Sequence, residues 1–199
     1  YLALEDTPYR IADRLRKLAG GMGIDLAQFV QGPAAGQDAS HDASHDASHD
    51  ASHSSVRYGD VTIVTAWSCF SDHGLADLRT TMDRDRPDVV IIDTFSRILG
   101  RGDQMDQQEM TQTMASLQRL ALDHGAAILL VDHHRKSART SPDADPIDDI
   151  MGSTAKAGVV DCAMGLYRRH NQDEATLKLC GRDFGDTELP LEWDPDAFC

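Results

Sequence analysis

The sequence is short of positive charge. Only 19 Lys and Arg stand against 33 Asp and Glu in 199 residues, a net charge of −14. Such a surface does not attract nucleic acid or an anionic membrane as a whole, so any contact with DNA falls to local basic loops. Cysteine is scarce as well. Cys69, Cys162, Cys180 and Cys199 are scattered, and no C-x-x-C pair occurs. This argues against a zinc site and for a reducing, cytoplasmic setting, with the thiols as small buried or surface groups. No apolar run approaches the roughly 20 residues of a membrane span. No signal peptide is visible, but the chain opens on Tyr1 rather than Met, and Tyr1-Leu2-Ala3-Leu4 reads as a strand entered midway. The expectation is a fragment whose beginning lies upstream. Also missing is the phosphate-binding motif G-x-x-x-x-G-K-[ST]. The stretch from Gly152 to Gly158 imitates it with the wrong spacing and no strand before it, and reads as a short helix start.

What is present is ordinary for one soluble α/β domain: 41% apolar and 26% charged residues, in a chain long enough for a real core. Its clearest element is Asp88-Val89-Val90-Ile91-Ile92-Asp93. Four apolar residues without alternation predict a strand buried on both faces of a parallel sheet. Pro87 punctuates its start. The run ends on a carboxylate, where open α/β sheets bind ligands. Two readings of Asp93 stay open: a ligand for Mg²⁺ beside a phosphate, or a cap for the next segment through Thr94 or Ser96.

Around this strand the pattern alternates. Thr7 as N-cap and Pro8 at the first helical position start a helix on which Ile11, Leu15 and Leu18 keep helical spacing, and Gly20-Gly21 ends it. Glu5 is thus a second carboxylate between a strand end and a helix start. Residues 38–55 hold a fourfold Asp-Ala-Ser-His repeat with no apolar residue larger than Ala, a disordered loop inside an otherwise single domain spanning 1–199. Its histidines at spacing four would ligate a metal only in a helix and stay out of the active-site argument. Val61–Ala66 reads as a strand, Gly74–Arg86 as a helix, and Met105–His124 as a long helix with Met110, Met114, Leu117, Leu120 and Ala121 inward. Ala126–Val131 is a second doubly buried strand, ending in Asp132-His133-His134-Arg135-Lys136, and a polar loop follows to Ile150. Three strand-like runs, Val160–Tyr167, Ala175–Cys180 and Glu188–Trp193, form an antiparallel tail. The prediction is a mostly parallel sheet extended by a meander.

In a parallel sheet Glu5, Asp93 and Asp132-His133-His134 lie on one edge. One carboxylate to hold Mg²⁺, one to orient water and a polar sensor are parts of nucleotide hydrolysis. Five segments in order carry a resemblance: Tyr-Leu-Ala-Leu-Glu-Asp at the start, Val-Val-Ile-Ile-Asp-Thr, Leu-Leu-Val-Asp-His-His-Arg-Lys, Asp148-Asp149-Ile150-Met151-Gly152-Ser153-Thr154, and Gly181-Arg182-Asp183. The chain resembles the RecA-like ATPases of the RepA hexameric replicative helicase group, found in plasmid and phage replication modules. The resemblance covers nearly everything but the repeat, which is not a family feature.

It implies a RecA-like three-layer sandwich with a mostly parallel central sheet and an antiparallel C-terminal extension. ATP and Mg²⁺ are the implied cofactors, and the phosphate loop belongs to a preceding unit, so this chain alone is expected to bind ATP poorly. Glu5 matches the residue that activates water, and Asp93 the Walker B Asp that holds Mg²⁺ through water, with Thr94 beside the nucleotide. His133 and His134 match paired histidines that sense phosphate state. Arg182 sits where a finger reaches a neighbour's nucleotide, which implies a homo-hexameric ring. Arg135, Lys136, Arg139 and Lys156 flank a loop that would touch single-stranded DNA, with Arg97 and Arg101 as weaker candidates. Other replication proteins are further partners; a membrane is not. Two rivals stand beside this reading. Val131-Asp132-His133-His134 also resembles the Mn²⁺-binding signature of DHH-type phosphoesterases, although the early D-x-D run and a G-G-G-H segment are absent. A degenerate core could also persist as an oligomerisation or DNA-binding module.

Overall fold

The computed structural model describes residues 1–25, 55–100, 107–133, 145–149, 154–168 and 172–195. The tetrapeptide repeat lies outside them.

A five-stranded sheet runs in the order β2-β3-β1-β4-β5. Its strands are β1 (Leu2–Ala3), β2 (Ser55–Tyr58), β3 (Val61–Val64), β4 (Val89–Asp93) and β5 (Ala127–Val131). β3, β1, β4 and β5 are parallel, and β2 adds an antiparallel edge. The sequence pattern does not mark β2, which begins at Ser55, the last residue of the predicted repeat loop, and turns into β3 at Gly59-Asp60.

Helices cover both faces. α1 (Pro8–Gly21) starts as its sequence predicts, with Thr7 at the N-cap accepting from the Arg10 amide and Pro8 at the first position. It packs Ile11 on Ala3 and Ile63. On the other face α2 (Gly74–Asp85), α3 (Phe95–Leu99) and α4 (Gln107–His124) bury Leu78, Met82, Phe95, Ile98, Met114, Leu117 and Leu120 against Leu2, Val64, Val90 and Ile92. The period of two along each strand sorts these sets: Leu2 faces one layer and Ala3 the other.

β4 and β5 depart from the expectation of strands buried on both faces. Val89 is 54% exposed, Leu129 39% and Val131 37%, while Val90 and Ile92 are buried. On that face α1 packs Ile11 on Ala3 of β1 and Ile63 of β3, and no β4 or β5 residue belongs to this cluster. An unbroken apolar run therefore does not require two covered faces.

α5 (Pro146–Asp149) and the short α6 (Thr154–Val159) lead to a meander of β6 (Cys162–Arg168), β7 (Glu174–Gly181) and β8 (Thr187–Glu192). These three antiparallel strands form the C-terminal extension as a sheet of their own, not hydrogen-bonded to the first. A largely apolar cavity of about 570 Å³ lies between β5 and the α6–β6 segment. No helix among the described residues is long and apolar enough to cross a membrane.

Candidate active site

The register brings three chain-distant residues to one edge. Ala3 pairs with Asp93, and Asp93 with Val131. Glu5, Asp93 and Asp132-His133 therefore all lie at the C-terminal ends of neighbouring parallel strands, where such sheets bind ligands.

Glu5 is held from three sides. Thr94 Oγ1 donates to Glu5 Oε1 at 2.9 Å, and Arg97 Nε donates to the same oxygen at 3.4 Å. His133 Nε2 lies 3.7 Å from it. The Thr94 hydroxyl, then Arg97, hold the Glu5 carboxyl below its ordinary value against the opposing effect of burial. Glu5 is therefore a carboxylate at neutral pH, suited to accepting a hydrogen bond from water. Thr94 stands at the N-cap of α3 but makes no side-chain cap bond. Its hydroxyl, 3% exposed as a residue, serves Glu5 instead.

Asp93 accepts from the Tyr1 hydroxyl at 2.7 Å. Burial, then this bond, push the Tyr1 phenol up, so it stays a donor. The Asp93–Thr94 peptide bond is cis. Beside Asp93 a cavity of about 210 Å³ is lined by Ala3, Glu5, Asp6, Arg10, Arg14 and Asp93. Arg10 pairs with Asp6 at 3.2 Å, and Arg14 also bonds Asp6. Sequence reasoning missed Tyr1, Asp6, Arg10 and Arg14 as site residues. A signal existed for the last three, since Asp6 precedes α1 and the two arginines recur at spacing four on it.

Other predicted residues fall differently. His133 is half exposed beside Glu5. Its neighbours His134, Arg135, Lys136 and Arg139 lie outside the described residues, as does Arg101. Lys156, expected on a solvent-facing basic loop, is buried by α6 at 8% exposure. Its Nζ lies 2.5 Å from Asp132 Oδ2. Arg182 donates to the Gly158 carbonyl at 2.8 Å and pairs with Asp161 at 3.4 Å. It bonds neither Glu5 nor Asp93 and stays half exposed just after β7.

The donor set fits a hard, small cation. No group of three or more potential ligands exists among the described residues. Magnesium needs no such cage: one or two carboxylates, waters and phosphate oxygens suffice, and Asp93 and Glu5 share one cavity wall.

A mostly parallel sheet, helices on both faces and two carboxylates at adjacent strand ends belong to the P-loop type of ATPase domain. The family model described as "AAA domain" matches residues 1–139, and the chain belongs to that family. A comparison with curated proteins gives no match.

Proposed function

We propose that this chain is the core of an ATP-dependent DNA motor, a RepA-like replicative helicase or a related single-stranded-DNA-dependent ATPase working as a hexameric ring. The observation that carries it is the shared cavity wall of Asp93 and Glu5, with Glu5 oriented by Thr94, Arg97 and His133. The helicase and ring assignments rest on the ordered resemblance of five sequence segments.

Each residue then has a distinct task. Asp93 is the residue that would hold Mg²⁺ through water, and Tyr1 fixes its carboxylate. Glu5 accepts a hydrogen bond from the attacking water and lines it up. Thr94 and Arg97 keep the Glu5 carboxylate charged and aimed. His133, within 3.7 Å, reports on Glu5. ATP with Mg²⁺, when bound, supplies the electrophilic phosphoryl group and neutralises its charge. In this reading Arg182 serves a neighbouring subunit's nucleotide, and Arg135, Lys136 and Arg139 touch single-stranded DNA.

The test uses the intact protein. Glu5→Gln is expected to lower ATP turnover by about 10²- to 10⁴-fold, the usual range for such a group, while nucleotide binding persists. Wild-type turnover should rise on adding single-stranded DNA, and nucleotide should promote hexamers in analytical ultracentrifugation. Retained turnover in Glu5→Gln would unseat Glu5. DNA binding and assembly indifferent to nucleotide would favour the bare binding module. In the phosphoesterase alternative Asp132 would bind Mn²⁺ with a carboxylate that also engages an ammonium and a backbone amide. Manganese-dependent phosphodiester cleavage, lost in His133→Ala, would favour it.

A further inference from the structure

Lys156 is a buried cation with a placement that packing alone does not explain. Its Nζ sits 2.5 Å from Asp132 Oδ2 and 5.4 Å from the centroid of the Phe95 ring. Burying an ammonium is costly unless it is paired, and an apolar pair of similar volume commonly gives equal or greater stability. Stability is therefore a weak reason for this arrangement, and its geometry suggests another.

Two groups that Lys156 touches, Asp132 and Phe95, are each next in sequence to a group that contacts Glu5. Asp132 precedes His133, and its Oδ1 accepts the His133 amide at 2.9 Å. One carboxylate thus ties Lys156 to the backbone from which the His133 ring reaches to within 3.7 Å of Glu5. Phe95 follows Thr94, whose hydroxyl donates to Glu5. Phe95 is 1% exposed, so its ring is fixed in the core. Lys156 itself comes from α6, which leads through Val160 and Asp161 into β6.

We propose that Lys156 is a positioning residue for Glu5. Through Asp132 and Phe95 it sets both the His133 and the Thr94 side of the Glu5 carboxylate, and so ties the α6–β6 segment to the hydrolytic edge. The proposal rests on the reading of Glu5 given above, but it has a readout that needs no turnover.

The experiment follows the His133 ring resonances of the intact protein by NMR. In wild type, Glu5→Gln moves the His133 signals, because the two side chains adjoin. In Lys156→Met the same substitution moves them by less than half as much, and Lys156→Arg restores the full response. Lys156→Gln provides a second variant if Lys156→Met fails to fold, as judged by thermal melting. An undiminished response in the folded Met or Gln variant overturns the proposal, as does a wild-type His133 that ignores Glu5→Gln. In parallel, kcat for ATP should fall about 10- to 100-fold in Lys156→Met with KM within twofold, the scale of a slightly misplaced group. A wild type without ATPase activity would overturn the ATPase reading instead, and the NMR comparison would still decide the role of Lys156.

Discussion

Thr94 Oγ1 donates to Glu5 Oε1 at 2.9 Å, across 89 residues of sequence. The bond joins the ends of β1 and β4, which are adjacent strands in the sheet. It is also the first cause of the lowered Glu5 pKa.

Thr94→Val should therefore act on the carboxylate before it acts on the fold. Without the hydroxyl, the Glu5 carboxyl rises toward its ordinary range and loses one aiming contact. The acid limb of the rate–pH profile should move to higher pH, with kcat down about tenfold. Steady-state kinetics from about pH 3 to pH 7, spanning the ordinary glutamate range, measure both. An unmoved acid limb would show that Thr94 does not govern Glu5.

His124 offers a pH test of stability away from the site. Its Nδ1 lies 2.8 Å from the Leu120 carbonyl oxygen and its Nε2 3.0 Å from Asp83 Oδ1. Both partners are acceptors, and only the protonated ring donates from both nitrogens. The Leu120 carbonyl and then Asp83 accordingly raise its pKa above 6.5. A raised folded pKa contributes stability fully below the unfolded value and loses it as pH rises through the folded one. Thermal melts at pH 6 and pH 8 should show wild type losing more stability over that window than His124→Gln. Parallel curves would refute the assignment.

Gly74 opens α2 at a point of close approach. A Cβ there would stand 2.0 Å from the Ser68 carbonyl oxygen. That is backbone, which cannot swing aside as a side-chain tip can. Gly74→Ala should cost more than about 1 kcal/mol, reversing the usual benefit of replacing glycine in a helix. Urea denaturation reads the loss, and a neutral or stabilising result would mean that the 68–74 turn relaxes freely.

How much of this was legible in the sequence depends on how local the cause is. α1 was readable because Thr7, Pro8 and the Gly20-Gly21 pair act within a few residues. The three strand ends were readable because apolar runs stop at Glu5, Asp93 and Asp132. β2 was not, since four residues beside a repeat carry little pattern. α3 was missed because five residues starting at Phe95 look like the continuation of a strand-end loop. The exposure of Val89, Leu129 and Val131 was misjudged, because run composition cannot say how far a helix elsewhere extends. Lys156 was misplaced for a related reason: a lysine in a polar stretch gives no sign that Asp132, 24 residues away, awaits it.

The outer edge of β5 has a consequence for handling the protein. Ala127-Ile128-Leu129-Leu130-Val131 carries no charge and no proline, and among the described residues it pairs only with β4. Its unpaired side is a template on which a second chain can add a strand. Residues 1–199 expressed alone should scatter light increasingly with concentration and time, and Leu129→Lys should slow this; equal scattering would place the sticky surface elsewhere. Solubility of this strongly acidic chain would then turn less on its −14 charge than on five neutral residues at one margin of a sheet.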